Sequence, residues 1–244
     1  MTFQRVLRAE RIKFHRSPVF LAFVVLTLLA TFLGTANYQF NLEILKLGWY
    51  DLWSQHTLFA CSFFLPAELG VLCAWQWRLE HTDHCWNRLM TTPLPFAALY
   101  LAKLFWAGVL ALAALLFTGV CYLAAGVLVG LPLGGLPPQL AEWLLCAWAG
   151  CLVVCAWQEL LAMLLRSFAL PVAISLVCGV AGLLLMANGY GMAWPWAMIS
   201  VGMRASDPFR TVNIPQFLGM CAVFSVIPTM LAVALVQRKD ICAE

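Results

Sequence analysis

Residues Trp77–Lys103, WRLEHTDHCWNRLMTTPLPFAALYLAK, decide how this chain is read. They form the only long polar stretch between two strongly apolar segments. Glu80, Asp83, Arg78, Arg88, His81 and His84 fall within it, and it turns at Thr91-Thr92-Pro93-Leu94-Pro95. If the flanking segments lie in a bilayer, this loop sits in water on one side. Leu79 to Leu89 can form a short amphipathic helix, with Leu79, Trp86, Leu89 and Met90 as its apolar points. The prolines then stop it, because proline cannot continue a helix and biases the residue before it away from helical angles. A short rigid helix at the membrane surface can pass motion from a soluble partner to the spans. The alternative is a plain loop with no partner.

Working outward, the composition fixes the class. The chain has 244 residues, of which 64% are hydrophobic and only 10% charged, and its mean hydropathy is +0.89. An ordinary globular domain is roughly 45–50% apolar and about 25% charged. A soluble core of this size cannot bury the excess, so the chain reads as a polytopic membrane protein. A spanning helix needs about 20 apolar residues. Six segments meet this: Pro18–Ala36, Thr57–Trp77, Leu99–Val129, Leu140–Leu165, Phe168–Ala187 and Gln216–Val236. Asn37-Tyr38-Gln39-Phe40 follows the first and offers no small-residue cleavage site, so that segment is expected to remain as a span.

Lys and Arg set the orientation. With the N-terminus inside, the cytoplasmic parts hold Arg5, Arg8, Arg11, Lys13, Arg16, Arg78, Arg88, Lys103, Arg166, Arg238 and Lys239, against Lys46, Arg204 and Arg210 outside. Both termini are therefore expected in the cytoplasm. The net charge of +3 reflects this bias and does not point to nucleic acid.

Residues 2–16 precede the first span. Phe3, Val6, Leu7 and Phe14 fall on one side of a helical wheel and Arg5, Arg8, Arg11, His15 and Arg16 on the other. The pattern suits a helix in the cytoplasmic interface, and equally an ordinary positively charged anchor. Ile12 and Glu10 break it; Glu10 on the apolar side suits contact with protein rather than lipid. In the first outside loop, Asn37–His56, the aromatic residues Trp49, Tyr50 and Trp53 are expected at the membrane interface. Gly126–Gln139, GVLVGLPLGGLPPQ, reads as a tight outside turn, with Gly126 and Gly130 spaced for close helix packing. The second outside loop, Asn188–Pro215, is long for a connector. A short interfacial helix anchored by Trp194 and Trp196 is expected in it. With no internal repeat and no linker, 1–244 reads as one domain.

The ten cysteines fall in spans or cytoplasmic segments, where they serve as small apolar residues. The chain lacks GxxxxGK[ST], GxSxG, HExxH and GxGxxG, so no ATP-binding loop or familiar catalytic motif is present. His81, Asp83, His84 and Cys85 are too crowded for a metal site and have no second ligand cluster. The informative polar residues are those inside spans: Glu68 in LPAELGVL, and Gln158 and Glu159 in AWQELLAMLLR. A carboxylate at mid-bilayer costs about 2.5–3.5 kcal/mol on lenient scales and normally faces the bundle interior or water. Glu68 is expected there, contacting substrate or a partner subunit, or making a structural hydrogen bond. Glu159 lies near the cytoplasmic end, within reach of Arg166. Pro66 frees a backbone carbonyl beside Glu68.

Three stretches carry a family resemblance. Ala9-Glu10-Arg11-Ile12-Lys13-Phe14-His15-Arg16-Ser17 resembles an E-x-x-K-x-K/R-S start. Gly48-Trp49-Tyr50-Asp51-Leu52-Trp53, Phe63-Phe64-Leu65-Pro66, Glu80-His81, Trp86-Asn87 and Thr92-Pro93-Leu94-Pro95 resemble a W-x-x-x-W…FxxP…EH…W…P pattern. Gln158 with Arg166-Ser167-Phe168-Ala169-Leu170-Pro171 also fits. Together they resemble the ABC-2-type exporter permeases, and more narrowly the permease subunits of lantibiotic-immunity transporters. The resemblance implies an all-α integral membrane fold: six transmembrane helices, an N-terminal interfacial helix (1–17) and a cytoplasmic coupling helix in the loop 78–98 between helices 2 and 3. It implies a bacterial plasma membrane, two permease subunits, and two cytoplasmic ABC ATPases that bind the ATP and magnesium. This chain would then carry no cofactor and no catalytic residue. An antimicrobial peptide would be expelled from the membrane; a drug, a lipid or another compound is the alternative cargo, and a sensor or scaffold the alternative role. Glu80, Trp86, Asn87, Arg88 and Pro93 would lie at the ATPase contact, and Glu68, Gln158 and Glu159 in the permease interior. The loop 188–215 departs from anything in the pattern.

Overall fold

A computed structural model describes residues 3–15, 17–82 and 95–238. Most of its described residues are helical and none is in a strand. A short helix, α1 (Phe3–Lys13), precedes α2 (Val19–Phe40), α3 (Trp49–His81), α4 (Phe96–Leu128), α5 (Leu140–Leu164) and α6 (Ala169–Ala187). A six-residue helix, α7 (Ala197–Gly202), lies between α6 and the last helix, α8 (Ile214–Arg238). Six of these helices are long and apolar enough to cross a membrane: α2 to α6, and α8 through its stretch Ile214–Val236. The six segments expected from the sequence are therefore present.

Burial sorts the spans. The window of α3 is the most buried and that of α8 the least. Surface apolar residues cluster on the poorly buried helices, with Leu21 and Phe32 on α2, Val177 and Leu184 on α6, and Val226 and Met230 on α8 exposed. Patches of this kind are rare on soluble monomers, and a bilayer solvates them. The central helix α3 packs on α2, α5 and α6. A wide π turn at Ala60–Phe64 interrupts it just before Pro66. Proline lacks the N–H that the ladder needs, and the Pro66 carbonyl accepts a bond from the Ser175 hydroxyl of α6 at 2.5 Å.

Four sequence readings change here. The second span starts at Trp49, eight residues before the expected Thr57. Trp49 and Trp53 are not interface residues; they are almost wholly buried. Trp53 stacks on Trp143 at 5.5 Å and meets Tyr122 edge-on at 4.9 Å. Gly126 and Gly130 do not pair two helices: a Cβ on Gly126 would strike the Trp49 indole at 2.1 Å, whereas nothing lies within 4 Å of one on Gly130. The second outside loop does hold a short helix, but it is inserted rather than interfacial. All six residues of α7 are buried, and α7 packs against α5 and α6. Gly150 and Gly202 make room, since a Cβ on either would come within 2.6 Å of backbone on the other helix. Trp196 is buried and donates to the Ser175 hydroxyl at 3.2 Å, and Trp194 donates to the Cys178 carbonyl at 2.9 Å.

Candidate functional site

Two groups stand out among the polar side chains buried in the bundle. One lies at the α1 end, where α3 stops at His81 and α4 starts at Phe96. There Glu10 and Lys13 of α1 meet Glu80 of α3 and Lys103 of α4. Lys103 Nζ reaches Glu10 Oε2 at 3.1 Å, Glu80 Oε1 at 3.0 Å and the Gln76 carbonyl at 3.1 Å, with no solvent exposure. Lys13 Nζ reaches Glu10 Oε1 at 2.6 Å and Glu80 Oε1 at 2.5 Å. Each carboxylate therefore binds both ammonium groups, and the four formal charges cancel. Lys103 also lies over the Trp77 ring, 5.0 Å from its centroid.

The local sequence explains the knot. Glu10 and Lys13 are three apart and share a helix face. Val6, on that same side of α1, packs with Leu99 and Ala102 of α4. Glu10 faces protein, as its place on the wheel predicts. Trp106 Nε1 donates to the Leu7 carbonyl at 3.0 Å, and Phe14 lies against Trp75 at 5.1 Å. Burial lowers the affinity of Lys13 for its proton, but Glu10 and Glu80 outweigh it and raise the pKa above the ordinary 10.5.

The second group lies deeper, between α3 and its neighbours. Glu68 Oε1 accepts from the Thr27 hydroxyl of α2 at 3.2 Å. Its other oxygen is buried without a hydrogen-bond partner among the described residues, as are both amide atoms of Gln158 and of Gln76. Glu159 accepts from Trp77 Nε1 at 2.5 Å; its Oε1 has no partner. Its described hydrogen bond is to Trp77, where the sequence had placed Arg166 within reach. Tyr100 donates to the Ala156 carbonyl at 2.7 Å, beside Glu159. A buried polar atom left unpaired costs about 1–3 kcal/mol.

Of the residues expected to contact a motor, Glu80 sits in the knot with 6% of its surface exposed. Its Oε1 is tied to Lys13 and Lys103 in the last turn of α3. Trp86, Asn87, Arg88 and Pro93 lie outside the described residues. Sequence reading missed Lys103, which it counted only as a loop cation. The signal available was a lysine about two turns inside an otherwise apolar helix.

The chain thus combines six candidate spans with a neutralised charge knot and buried polar groups. A model of the family described as "ABC-2 family transporter protein" matches residues 6–182, well over half of the chain. The chain belongs to the ABC-2 transporter family. No curated protein and no solved structure matches it. As an ABC-2 permease it is the membrane component of an ABC transporter, whose ATPase is a partner subunit. The matched region takes in the knot, Glu68 and the Gln158-Glu159 pair. It ends within α6, before α7 and α8.

Proposed function

We propose that this ABC-2 permease works as one of a pair, driven by two cytoplasmic ATPases, and expels a lantibiotic-like antimicrobial peptide from the bacterial plasma membrane. Both termini and the α1 end then face the cytoplasm, with α1 lying along the interface. The observation that carries the coupling part is the Glu10–Lys13–Glu80–Lys103 knot. It ties α1, α3 and α4 together beside the segment 83–94. A push on that segment from an ATPase reaches α3 and α4 along the chain and α1 through the ion pairs. Glu80 is a positioning residue on this reading, and Trp86, Asn87, Arg88 and Pro93 supply the contact surface. Glu68, Gln158 and Glu159, with unpaired polar atoms facing the interior, are the groups a peptide backbone can satisfy.

Lantibiotic resistance tests the reading. The permease is expressed with its ATPase in a sensitive bacterium, and growth is scored against a panel of lantibiotics and unrelated drugs. Raised tolerance to at least one lantibiotic, lost when the ATPase is inactivated, is expected. Tolerance to drugs or detergents alone would contradict the peptide assignment.

A further inference from the structure

At the end of the bundle opposite α1, a cavity of about 330 Å³ opens between the start of α3, the start of α5 and the segment after α7. Tyr50, Trp143 and Phe209 wall it, and Glu142, Arg204 and Arg210 supply its charge. Tyr50 stacks on Phe209 at 4.9 Å. Arg204 is 4% exposed and sits at φ 53, a left-handed backbone that a non-glycine residue rarely adopts. Its Nη1 donates to the carbonyls of Val201 and Gly202 at 2.9 and 3.2 Å, and its Nη2 to Glu142 at 3.1 Å. These contacts leave further N–H donors of the guanidinium unspent. Arg210 is half-buried, and no hydrogen bond or ion pair engages its guanidinium among the described residues. The lining carries two guanidinium groups against one carboxylate, which is already paired. A second cavity of about 530 Å³ shares Arg210, Thr211 and Val212 and continues past Met192 and Val201.

We propose that this cavity binds the phosphate of an anionic phospholipid, with its acyl part running toward Met192 and Val201. A net positive lining selects an anion over a cation. Guanidinium is the side chain suited to a phosphate, which it can bond in a bidentate manner. The aromatic and aliphatic walls favour an amphiphile over a bare ion. The cavity lies level with the first turns of α3 and α5, where a headgroup meets a span. The proposal holds whichever leaflet this end faces, so it stands apart from the peptide-export reading.

The test uses the full chain, purified in detergent and passed through nanodiscs containing equal phosphatidylglycerol and phosphatidylcholine. Retained lipid is then counted by native mass spectrometry. Phosphatidylglycerol should be retained preferentially, and Arg210→Gln should weaken that retention about tenfold or more, the loss expected of a charge-assisted hydrogen bond. Lys46→Gln, at an exposed cation on the same end outside the cavity, should leave it unchanged. Equal retention of both lipids by the wild type overturns the proposal. So does an equal loss in the two variants, which would mark general surface charge. Thermal stabilisation of the wild type by millimolar inorganic phosphate without retention of phosphatidylglycerol would assign the site to free phosphate and sink the lipid reading.

Discussion

Glu80 and Glu68 lie on one helix, about 18 Å apart along its axis at 1.5 Å per residue, and their carboxylates meet opposite surroundings. Glu80 is held by two lysines inside a knot whose charges cancel. Glu68 has one hydroxyl on one oxygen and nothing on the other. Removing a charge from water costs several kcal/mol unless partners replace the lost hydration. At the α1 end the chain supplies those partners itself and gains a rigid joint between three helices. In the interior it leaves the account open, which suits a site that another molecule completes. The same residue type is thus fastened by two lysines in one place and held by a single hydroxyl in the other.

The largest expected effect breaks the fastening. Lys103→Met leaves Glu10 and Glu80 buried with only Lys13 between them. A loss of about 3–5 kcal/mol is expected on removing one partner of a buried pair, read as a lower thermal midpoint in detergent. A midpoint unchanged from wild type would mean that the knot is not a joint. Gly150→Val comes next, because its side chain would meet the Met198 backbone, where a Cβ alone lies at 2.6 Å. Overpacking of this kind costs about 1–3 kcal/mol. Labelling of a cysteine placed at Ser200 should rise as α7 is pushed out; no gain in labelling would contradict the insertion.

Glu68→Gln sharpens the contrast. The side chain keeps its shape and its contact with Thr27, so the midpoint should move by less than about 1 kcal/mol equivalent, while export falls. A drop as large as that of Lys103→Met would make Glu68 another fastening. The smallest effect concerns pH. The pKa of Lys13 is raised on folding, so its stabilising contribution is complete below the unfolded value of 10.5 and lost only as pH rises through the higher folded value. Protease nicking at Arg5 and Arg8 should therefore not change between pH 7 and pH 9 through Lys13. A rise within that window that Lys13→Arg abolishes would contradict this.

The comparison also shows what the sequence can and cannot disclose. Long apolar runs made the spans legible, and Glu10 on the wrong side of its wheel disclosed a protein contact. The start of α3 was hidden because Asp51, Gln55 and His56 read as loop residues. In the fold Gln55 accepts from Asn37 at 2.5 Å and His56 bonds Thr35 at 2.9 Å, so both face α2 rather than open solvent. The apolar run of α7 is too short to tell an inserted helix from one lying on the surface. The partnership of Lys103 with Glu10, 93 positions away, leaves no local trace.

The central claim is that the α1 end receives force from an ATPase through a loop whose base the knot holds. Co-expression of the permease with its ATPase, followed by affinity purification of the permease, tests it most directly. The wild type should bring the ATPase down, and the double variant Trp86→Ala with Arg88→Ala should lose it while keeping its spans folded. Full retention of the ATPase by that variant would place the contact elsewhere, and no ATPase with the wild type would contradict the account.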